Sequence, residues 1–497
     1  MKKYILIASA CFALQTKGVV AQNNKSTAYE TEAFGSVSTG ANTPFWMSSQ
    51  TWGLVPLDAN NGYVRGYVSH SEQLSQDVKW DLGLDLAAST KHAYNTLWIQ
   101  QFYGDISWKK WNLRIGPKEY YKSLLNERLS TGDYVLSNNA RPIPEMNIGL
   151  KDFVPVPLTG NKLLFRGDFA VGKLFDGNYI ENIAKPSGTT YMSGIYNHHK
   201  SMFLRVGDLN AGNKFRFTLA LEHYVLFGGH GIVAGEEMNS KVNLSTFWKS
   251  IFVGREKSGE VQYRYAEGSH TGAYTLKLDY QTKNKDLFSI YWHHLIEDGS
   301  SAGPQSIRDM LLGLEYKSNA KNLISGAVLE YMYTKNQSGS VHFNITMDEA
   351  HQHLVSKGNG MDDYYNNYQY AQGPSYFGRS VGTPLFLSPE YNTDGTINFK
   401  SNRIIAFHGA MEGYLKGNLY YRLRATYGET WGRYSIPFLS MRDGLASSLD
   451  LRYACPKTKG LELKLTLAMN TGRFFDDNSF GTGISIVKRG VIDWTRR

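Results

Sequence analysis

Cysteine is nearly absent from this sequence, which contains only Cys11 and Cys455. Residues 1–21 have the pattern of a secretory signal peptide, with lysines before a short apolar run and Val19-Val20-Ala21 at the predicted cleavage site. A lipoprotein box ending at Cys11 is the alternative, but the apolar run before it is shorter than about 7–15 residues. Because cleavage removes Cys11, the mature chain can form neither an intrachain disulfide nor a cysteine metal site.

Long apolar runs are also missing. After residue 21 there is no apolar stretch of about 18 residues, so the sequence offers no transmembrane helix. A basic stripe is absent as well, since the 53 Lys and Arg residues exceed the 44 Asp and Glu residues only modestly and are spread along the chain. We therefore expect no nucleic-acid partner. If the chain crosses a membrane, it does so with β-strands.

What the sequence does contain is a regular alternation of apolar and polar residues. Leu82, Leu84 and Leu86 fall on one face of a predicted strand, whereas Asp81 and Asp85 fall on the other, because successive strand side chains point in opposite directions. The same pattern recurs over residues 215–222, 274–280, 449–454 and 461–469. Short turn-forming segments separate such runs, which predicts a meander of antiparallel hairpins.

A soluble β-sandwich would alternate in the same way, but three features favour a membrane barrel. Many runs reach the roughly 9–11 residues that a tilted strand needs to cross a bilayer. Aromatic residues make up 13% of the chain, and many lie at the ends of predicted strands. The polar face carries full charges. We predict an all-β fold, a transmembrane antiparallel β-barrel of the Gram-negative outer membrane, with residues 22–497 as one domain and the chain as a monomer among outer-membrane lipid.

Two stretches, 118–157 and about 336–389, break the alternation. The first contains a candidate short helix at 119–129 and four prolines between residues 142 and 157. Proline has no N–H to donate to a sheet, so 142–157 is predicted to be extended backbone outside the strand ladder. It could form a lumen plug, a periplasmic segment or a long loop.

The irregular stretches contain several distinctive short strings. They include Leu129-Ser130-Thr131-Gly132 followed by Asn138-Asn139-Ala140-Arg141-Pro142-Ile143-Pro144. Other such strings along the chain are Thr43-Pro44-Phe45-Trp46, Asp176-Gly177, Thr334-Lys335-Asn336-Gln337-Ser338-Gly339 and Gly378-Arg379-Ser380-Val381-Gly382-Thr383-Pro384-Leu385. In their number and order these strings resemble the capsule assembly Wzi family in its Bacteroidetes branch. The resemblance implies a barrel of about 18 strands that acts as a lectin-like factor in the assembly and surface attachment of capsular polysaccharide. The chain length agrees, at roughly 26 residues per strand and connection.

Saccharide recognition pairs flat aromatic faces with amides, carboxylates and arginines that bond to hydroxyls. One tyrosine-rich segment offers both kinds of group and is predicted to be an extracellular loop. The candidate polysaccharide-binding residues are Asp362, Asp363, Tyr364, Tyr365, Tyr368 and Tyr370, together with Arg141 and Arg379. The alternatives are a tyrosine-rich loop folded on the barrel rim without a ligand, and arginines paired with lumen carboxylates.

No motif for catalysis, a cofactor or a metal stands out. Adjacent pairs such as His198-His199 point to opposite faces of a strand and are poor joint ligands, and His351 and His353 have few acidic neighbours. A Gly-x-Ser-x-Gly elbow is missing. We expect a non-enzymatic protein without cofactor or metal. A diffusion channel and, with less support, a lipid-modifying barrel enzyme remain the alternatives.

Overall fold

In the computed structural model, the chain forms a barrel of eighteen antiparallel strands. The structure describes residues 25–90, 95–252, 267–297, 301–302, 306–340, 342–348, 353–359, 361–476 and 478–493, so the predicted signal peptide lies outside it. The strands are β1 Lys25–Ser38, β2 Gly62–Gln73, β3 Val78–Ser89, β4 Leu97–Trp108, β5 Trp111–Ile115, β6 Glu145–Leu150, β7 Leu163–Lys173, β8 Tyr196–Val206, β9 Phe215–Phe227, β10 Ser269–Gln281, β11 Leu287–Ile296, β12 Met310–Lys317, β13 Gly326–Tyr333, β14 Ile404–Lys416, β15 Leu419–Gly432, β16 Pro437–Ala454, β17 Leu461–Gly472 and β18 Ser479–Asp493.

Shorter elements lie in the connections between the strands. The described helices are α1 Phe45–Ser48, α2 Gly177–Ser187 and α3 Leu244–Ile251, with 3-10 turns at Leu209–Ala211 and Pro389–Tyr391. The small strands are Val154–Pro155, Tyr191–Ser193, Gly229–Val233, Glu236–Ser240, His342–Asp348, His353–Asn359, Ser375–Tyr376 and Arg379–Ser380. Among the described residues, no helix is both long and apolar enough to cross a membrane.

Each strand of the barrel pairs with the strand before it, and β18 returns to pair with β1. This closing pair runs from Ser26 opposite Asp493 to Ser38 opposite Gly481. A closed sheet has no free edge, so every strand finds its hydrogen-bonding partners within the barrel. The predicted antiparallel barrel and its strand number are confirmed.

The apolar face of the strands points outward. On β3, Leu82 is 53% exposed, whereas the neighbouring inward residue Asp85 is 0% exposed. The inner wall holds ion pairs such as Arg65 with Asp85 at 2.5 Å and Arg422 with Asp450 at 2.9 Å. A barrel whose outer face contacts lipid is expected to have this arrangement, with apolar side chains outside and ionised groups inside.

The two ends of the barrel differ. Short turns such as 109–110 and 417–418 join the strands at the end where β1 begins and β18 ends. The long connections 39–61, 116–144 and 334–403 all lie at the opposite end. Outer-membrane barrels have short periplasmic turns and long extracellular connections, which makes the long-connection end the extracellular one.

The segment 119–129 corrects the helix prediction, because it is irregular and not helical. Its backbone groups bond to side chains and not to one another: the Glu119 N–H donates to Oε1 of Gln101 at 2.9 Å, and the Leu124 carbonyl accepts from Nζ of Lys277 at 2.8 Å. Since these partners belong to distant strands of the wall, the contacts of the folded barrel override the local helical preference.

Helix α3 lies on the outer surface of the barrel, over polar residues of β8, β9 and β10. The Nζ of Lys200 on β8 donates to the Ile251 carbonyl, and the Phe247 ring packs against Phe227 on β9 at 6.2 Å. Nε2 of His223 and Nδ1 of His270 lie 2.9 Å apart beneath the helix. Without α3, these polar side chains would face the surroundings of the barrel, where an unpaired polar group is costly in lipid.

Helix α3 also presents apolar side chains outward: Leu244 is 73% exposed and Phe252, just after the helix, is 70% exposed. An amphipathic helix of this kind lies in the membrane interface. We therefore expect Trp248 to contact lipid. In vesicles of brominated phospholipid, Trp248→Phe should remove part of the quenchable tryptophan fluorescence, whereas Trp46→Phe, at a buried position, should not. An unchanged quenchable fraction in Trp248→Phe would place α3 outside the lipid.

Candidate functional site

Three connections at the long-connection end turn inward and fill the lumen: residues 39–61, 116–144 and 361–403. We call them together the plug. The largest aromatic residues of its buried centre are Phe45, Trp46, Tyr134, Tyr364, Tyr365, Phe386 and Phe399. Each segment is hydrogen-bonded to the inner wall, so the plug is an integral part of the fold.

Of the three possibilities left open for residues 142–157, a lumen plug is correct for 142–144. The prediction that the whole stretch lies outside the strand ladder is wrong, because Glu145–Leu150 forms β6, which pairs with β5 and β7, and Val154–Pro155 also pairs with β7. The prolines lie at the margins of β6 and leave its backbone N–H groups free to join the ladder.

The first plug segment is attached to β15 through Trp46. Its indole Nε1 donates to Oγ1 of Thr426 at 3.0 Å, and its carbonyl oxygen accepts from Nη2 of Arg424 at 2.6 Å. The guanidinium of Arg424 also lies over the indole ring, 4.6 Å from its centre. A buried arginine is tolerated because its charge is offset by the Asp450 carboxylate at 3.7 Å, by this carbonyl and by the aromatic face.

The second plug segment is attached to the carboxylate of Glu330 on β13. The hydroxyl of Ser130 donates to Oε1 at 2.6 Å, and the Thr131 N–H donates to Oε2 at 2.7 Å. The Tyr291 hydroxyl on β11 donates to Oε1 as well. One buried acceptor therefore fixes the Leu129-Ser130-Thr131-Gly132 string, which is part of the family resemblance in the sequence but whose role the sequence does not indicate.

The third plug segment contains most of the predicted polysaccharide-binding residues. Tyr364, Tyr365 and Tyr370 are buried, and their hydroxyls donate to Oδ2 of Asp309 at 2.8 Å, to the Tyr134 carbonyl and to the Gly228 carbonyl at 3.1 Å, respectively. In this arrangement their rings pack in the interior and present no face to a ligand outside the barrel.

Arg379 is buried in the same segment. Its two terminal nitrogens donate to the carbonyls of Ser48 at 3.0 Å and Val55 at 2.6 Å, and its Nε pairs with Glu390. The partners are thus plug groups, so Arg379 joins the first and third segments. The structural alternative stated for this arginine is the one that these contacts favour, although the partner carboxylate belongs to the plug and not to the barrel wall.

The remaining predicted residues of the third segment differ in their hydrogen-bond partners and in their exposure to solvent. Asp362 accepts from the Ser338 hydroxyl, whereas Asp363 pairs with Arg433 and accepts from the Asn402 amide at 2.7 Å. Tyr368 alone among the predicted tyrosines is open to solvent, with 64% of its surface exposed. The assignment of this set to polysaccharide stays a prediction, and the geometry leaves Tyr368 as its accessible member.

Arg141 lies against β4 at a point where the neighbouring strand, β5, is too short to cover it. β5 covers only the Gly104–Trp108 part of β4, so the upper part of β4 lacks a strand partner on that side. Nη2 of Arg141 donates to the Ile99 carbonyl of this uncovered part at 2.6 Å, and its guanidinium lies 4.9 Å from the centre of the Phe377 ring. Arg141 therefore connects the second and third plug segments to the wall.

Beside Arg141 the plug leaves a cavity of about 80 Å³. We call it the lumen cavity. Neighbouring strands contribute inward side chains to it: Arg114 from β5, Asn147 from β6, Asp168 from β7, Asn197 and His199 from β8, and Glu222 and Tyr224 from β9. The second plug segment also lines it, with Tyr120, Lys122 and Ser123 among others.

Several residues that line the lumen cavity have a buried polar atom without a hydrogen-bond partner among the described residues. They are both side-chain heteroatoms of Asn197, Nε2 of His199, Oε2 of Glu222, the Tyr224 hydroxyl and Nε of Arg114. Native structures leave few such atoms, because an unpaired buried polar group is costly. Alternation along the strands predicts that these side chains face the lumen, but nothing in the sequence indicates that they are unpaired.

The neighbouring histidines 198 and 199 divide between the two faces, as predicted. His199 lines the lumen cavity, whereas the His198 ring lies 4.4 Å from Phe169 and is absent from the cavity lining. Within the described part of the chain, no cluster of three or more His, Cys, Asp or Glu residues could hold a metal ion. His351 lies outside the described residues.

Asp176, just before α2, is a buried carboxyl at the extracellular end. Burial raises its pKa to about 6, against the lowering effect of the Phe377 N–H that donates to Oδ2 at 3.0 Å and of nearby Arg141. A carboxyl with a raised pKa stabilises the fold only while it is protonated. Its contribution is complete below the unfolded pKa, near 4, and is lost as pH rises through about 6.

Replacing Asp176 with Asn is therefore expected to stabilise the protein at pH 8 but not at pH 4. The gain should be about 3 kcal/mol, at about 1.4 kcal/mol for each unit between the folded and unfolded pKa. Urea unfolding in detergent at the two pH values measures it. Asp394→Asn is the control, because Lys400 and Thr396 hold the pKa of that exposed carboxyl down to about 2. An equal gain at both pH values would contradict the assignment.

No protein-family model matches the sequence, and no curated protein matches it. Solved structures do match. The chain superposes on Wzi of Escherichia coli with a TM-score of 0.57 and 12% identity, over 92% of this chain and 83% of the other. The fold is that of an outer-membrane β-barrel. Wzi is described as an outer-membrane protein involved in group 1 capsule assembly and as a carbohydrate-binding barrel.

Two solved structures of Pseudomonas aeruginosa proteins are also similar. OccK5 matches with a TM-score of 0.48 and 9% identity over 94% of this chain and 98% of its own. OprD matches with a TM-score of 0.45 and 8% identity over 96% and 97%, respectively. The likeness to Wzi shows the barrel fold and its Gram-negative outer-membrane type, which confirms the predicted localisation.

Proposed function

We propose that this protein is a non-enzymatic, lectin-like barrel that helps to assemble capsular or other surface polysaccharide and to hold it at the cell surface. The observation that carries the proposal is the plug. Three segments, hydrogen-bonded to the wall and to one another, occupy the lumen at the extracellular end. A barrel filled in this way is suited to present a surface and not to pass solutes.

The extracellular end offers groups that suit sugars. The exposed ring of Tyr368 can stack on the apolar side of a pyranose, and the nearby amides and carboxylates can bond to hydroxyls. The carbohydrate binding of Wzi, a protein of the same barrel type, supports the same class of ligand. The proposed partner is therefore an extended saccharide chain outside the cell.

Deletion of the gene tests the proposal. Polysaccharide synthesis should continue, but the cell-bound fraction should fall and the fraction in the medium should rise by the same amount. Tyr368→Ala should reproduce part of this shift, whereas Tyr453→Ala, at an exposed position at the short-turn end of β16, should not. If deletion leaves the cell-bound fraction unchanged, the proposed function is wrong.

A diffusion channel is the second candidate, and the ionised inner wall favours it. Pairs such as Arg65 with Asp85 and Lys277 with Glu315 line the lumen, as they do in polar pores. Recordings in planar bilayers separate the two functions. A stable conductance of porin size in the unchanged protein would support a channel, whereas silence is the result expected for a plugged barrel.

A further inference from the structure

Three cations lie close together at the extracellular end of β12, β13 and β14, and none of them forms an ion pair with a described residue. They are Arg308, Lys335 and Arg403, and we call them the basic rim. Cations of the inner wall, such as Arg65 and Lys277, are paired with carboxylates. We propose that the basic rim binds the phosphate groups of lipid headgroups in the outer leaflet, a partner beyond the proposed function.

Lys335 and Arg403 are the centre of the basic rim. Tyr333 lies opposite Ile405 in the β13–β14 pair, and this register, continued by two residues, brings Lys335 opposite Arg403. Nε of Arg403 donates to the Lys335 carbonyl at 3.1 Å, so the two backbones stay adjacent there. Like charges directly opposite each other are destabilising in a sheet. An anion bound between them would relieve this repulsion.

Both cations belong to the outer face of the barrel. Alternation along the strands places Lys335 on the side of Leu329 and Arg403 on the side of Phe407, and these two apolar residues are 62% and 55% exposed. The Trp431 N–H donates to the Arg403 carbonyl at 3.0 Å, which continues the β14–β15 ladder up to this point. The basic rim therefore faces the surrounding membrane and not the plug.

Aromatic residues lie just below the basic rim on the same face. The Tyr331 and Phe407 rings are 5.1 Å apart, and Tyr427 lies opposite Phe407 in the β14–β15 pair. Aromatic girdles mark the boundary between the apolar band of a barrel and the headgroups. Arg403 lies four residues beyond Phe407, about 13 Å along the strand and less along the membrane normal, because the strands are tilted. This is the depth at which headgroup phosphates are found, which favours lipid over a polysaccharide farther from the membrane.

The contacts of the two central cations leave donors for a phosphate. Nζ of Lys335 lies 3.6 Å from the centre of the Trp431 ring, and the Arg403 guanidinium lies 4.4 Å from the centre of the Tyr434 ring. A ring that contacts the face of a guanidinium leaves the N–H groups at its edge available. Neither terminal nitrogen of Arg403 has a hydrogen-bond partner among the described residues. Two parallel N–H groups match two oxygens of one phosphate.

The charges of the neighbouring residues also favour an anion. Two carboxylates lie on the same side, Glu429 and Asp443, and both accept from the Tyr427 hydroxyl, at 3.3 Å and 3.5 Å. Arg433 is already paired with Asp363. The nearby cations without an ion pair among the described residues outnumber the two carboxylates: Arg308, Lys335, Arg403 and Arg442. The surface is therefore positive overall, and a phosphate is complementary to it where a neutral sugar is not.

The test is native mass spectrometry of the full purified chain in detergent, with diphosphorylated lipid A and with the same lipid lacking both phosphates. The unchanged chain should retain the diphosphorylated lipid at least about tenfold better. Lys335→Gln combined with Arg403→Gln should abolish this preference, whereas Lys335→Arg should keep it. The matched control combines Lys283→Gln with Lys457→Gln, which removes the same charge from exposed short turns at the other end, and it should bind like the unchanged chain.

Heat-dependent mobility in gels confirms that each variant forms the barrel, and the comparison of the two lipids on the unchanged chain keeps the test valid if the double variant fails to fold. Equal retention of the two lipids overturns the inference, and so does an unchanged preference in the double variant. Polygalacturonate, a soluble acidic polysaccharide, is the second probe. If it binds through Lys335 and Arg403 while the diphosphorylated lipid is not retained, the basic rim serves a polysaccharide and the lipid assignment is overturned.

Discussion

Replacing Trp46 with Ala should lower the free energy of unfolding by about 3–5 kcal/mol, the range for truncation of a large buried aromatic side chain. The indole contacts the Phe45 ring at 4.9 Å and the His408 ring at 5.3 Å, and it accepts the Arg424 guanidinium on its face. Its loss leaves a cavity in the plug and removes a hydrogen bond to Thr426. Because this residue attaches the first plug segment to the wall, the lumen should also begin to conduct ions.

Two measurements check this result: urea unfolding in detergent, and conductance in planar bilayers. Trp108→Ala is the matched control, because that indole lies on the outer surface and is largely exposed. Trp108→Ala should conduct no ions, and its free energy of unfolding should be close to that of the unchanged chain. A Trp46→Ala protein with unchanged stability and no conductance would show that the first segment does not depend on this anchor.

Replacing Glu330 with Ala should be similarly damaging, with a loss of about 3 kcal/mol or more. The change leaves the Ser130 hydroxyl, the Thr131 N–H and the Tyr291 hydroxyl buried without their acceptor, and each such group costs about 1–3 kcal/mol. Glu330→Gln should lose less, because its amide oxygen can still accept from one or two of these donors.

The same urea unfolding, with limited proteolysis of intact cells, tests the Glu330 variants. New cleavage within 116–144 is expected in Glu330→Ala, since the second plug segment loses its fixed point. Glu236→Ala, at an exposed position in the Glu236–Ser240 strand, is the control and should behave as the unchanged chain. Equal stability of Glu330→Ala and the control would contradict the role assigned to this carboxylate.

The barrel could be predicted from the sequence because its cause is local. Leu82, Leu84 and Asp85 fall on opposite faces through strand geometry alone, and lipid then sorts the two faces. The plug has no such local signal. Asp363 pairs with Arg433, 70 positions away, and Tyr365 bonds to Tyr134, 231 positions away. A polar, tyrosine-rich stretch therefore looked like an exposed loop although most of its rings are buried.

The candidate site could be predicted from the sequence only in part, because it too depends on contacts between residues far apart in the chain. Alternation places Asn197 and Glu222 on the inner face, but their lack of partners depends on how the second plug segment crosses the lumen. For residues 119–129, in contrast, the sequence indicates a local structure that the chain does not form. Its composition suits a helix, yet bonds to Gln101 and Lys277 hold its backbone in an irregular path.

The first plug segment links the earliest and latest parts of the chain. Besides the bonds from Trp46 to β15, the Phe45 N–H donates to Oδ1 of Asn470 on β17 at 3.1 Å, a separation of 425 positions. During synthesis, residues 39–61 thus emerge long before the partners that hold them exist. Such distant contacts carry a large entropic cost until the chain is nearly complete. Attachment of the first plug segment should consequently coincide with closure of the barrel as one late event, and in an assembly intermediate residues 39–61 should remain unattached until β15 to β17 have been inserted.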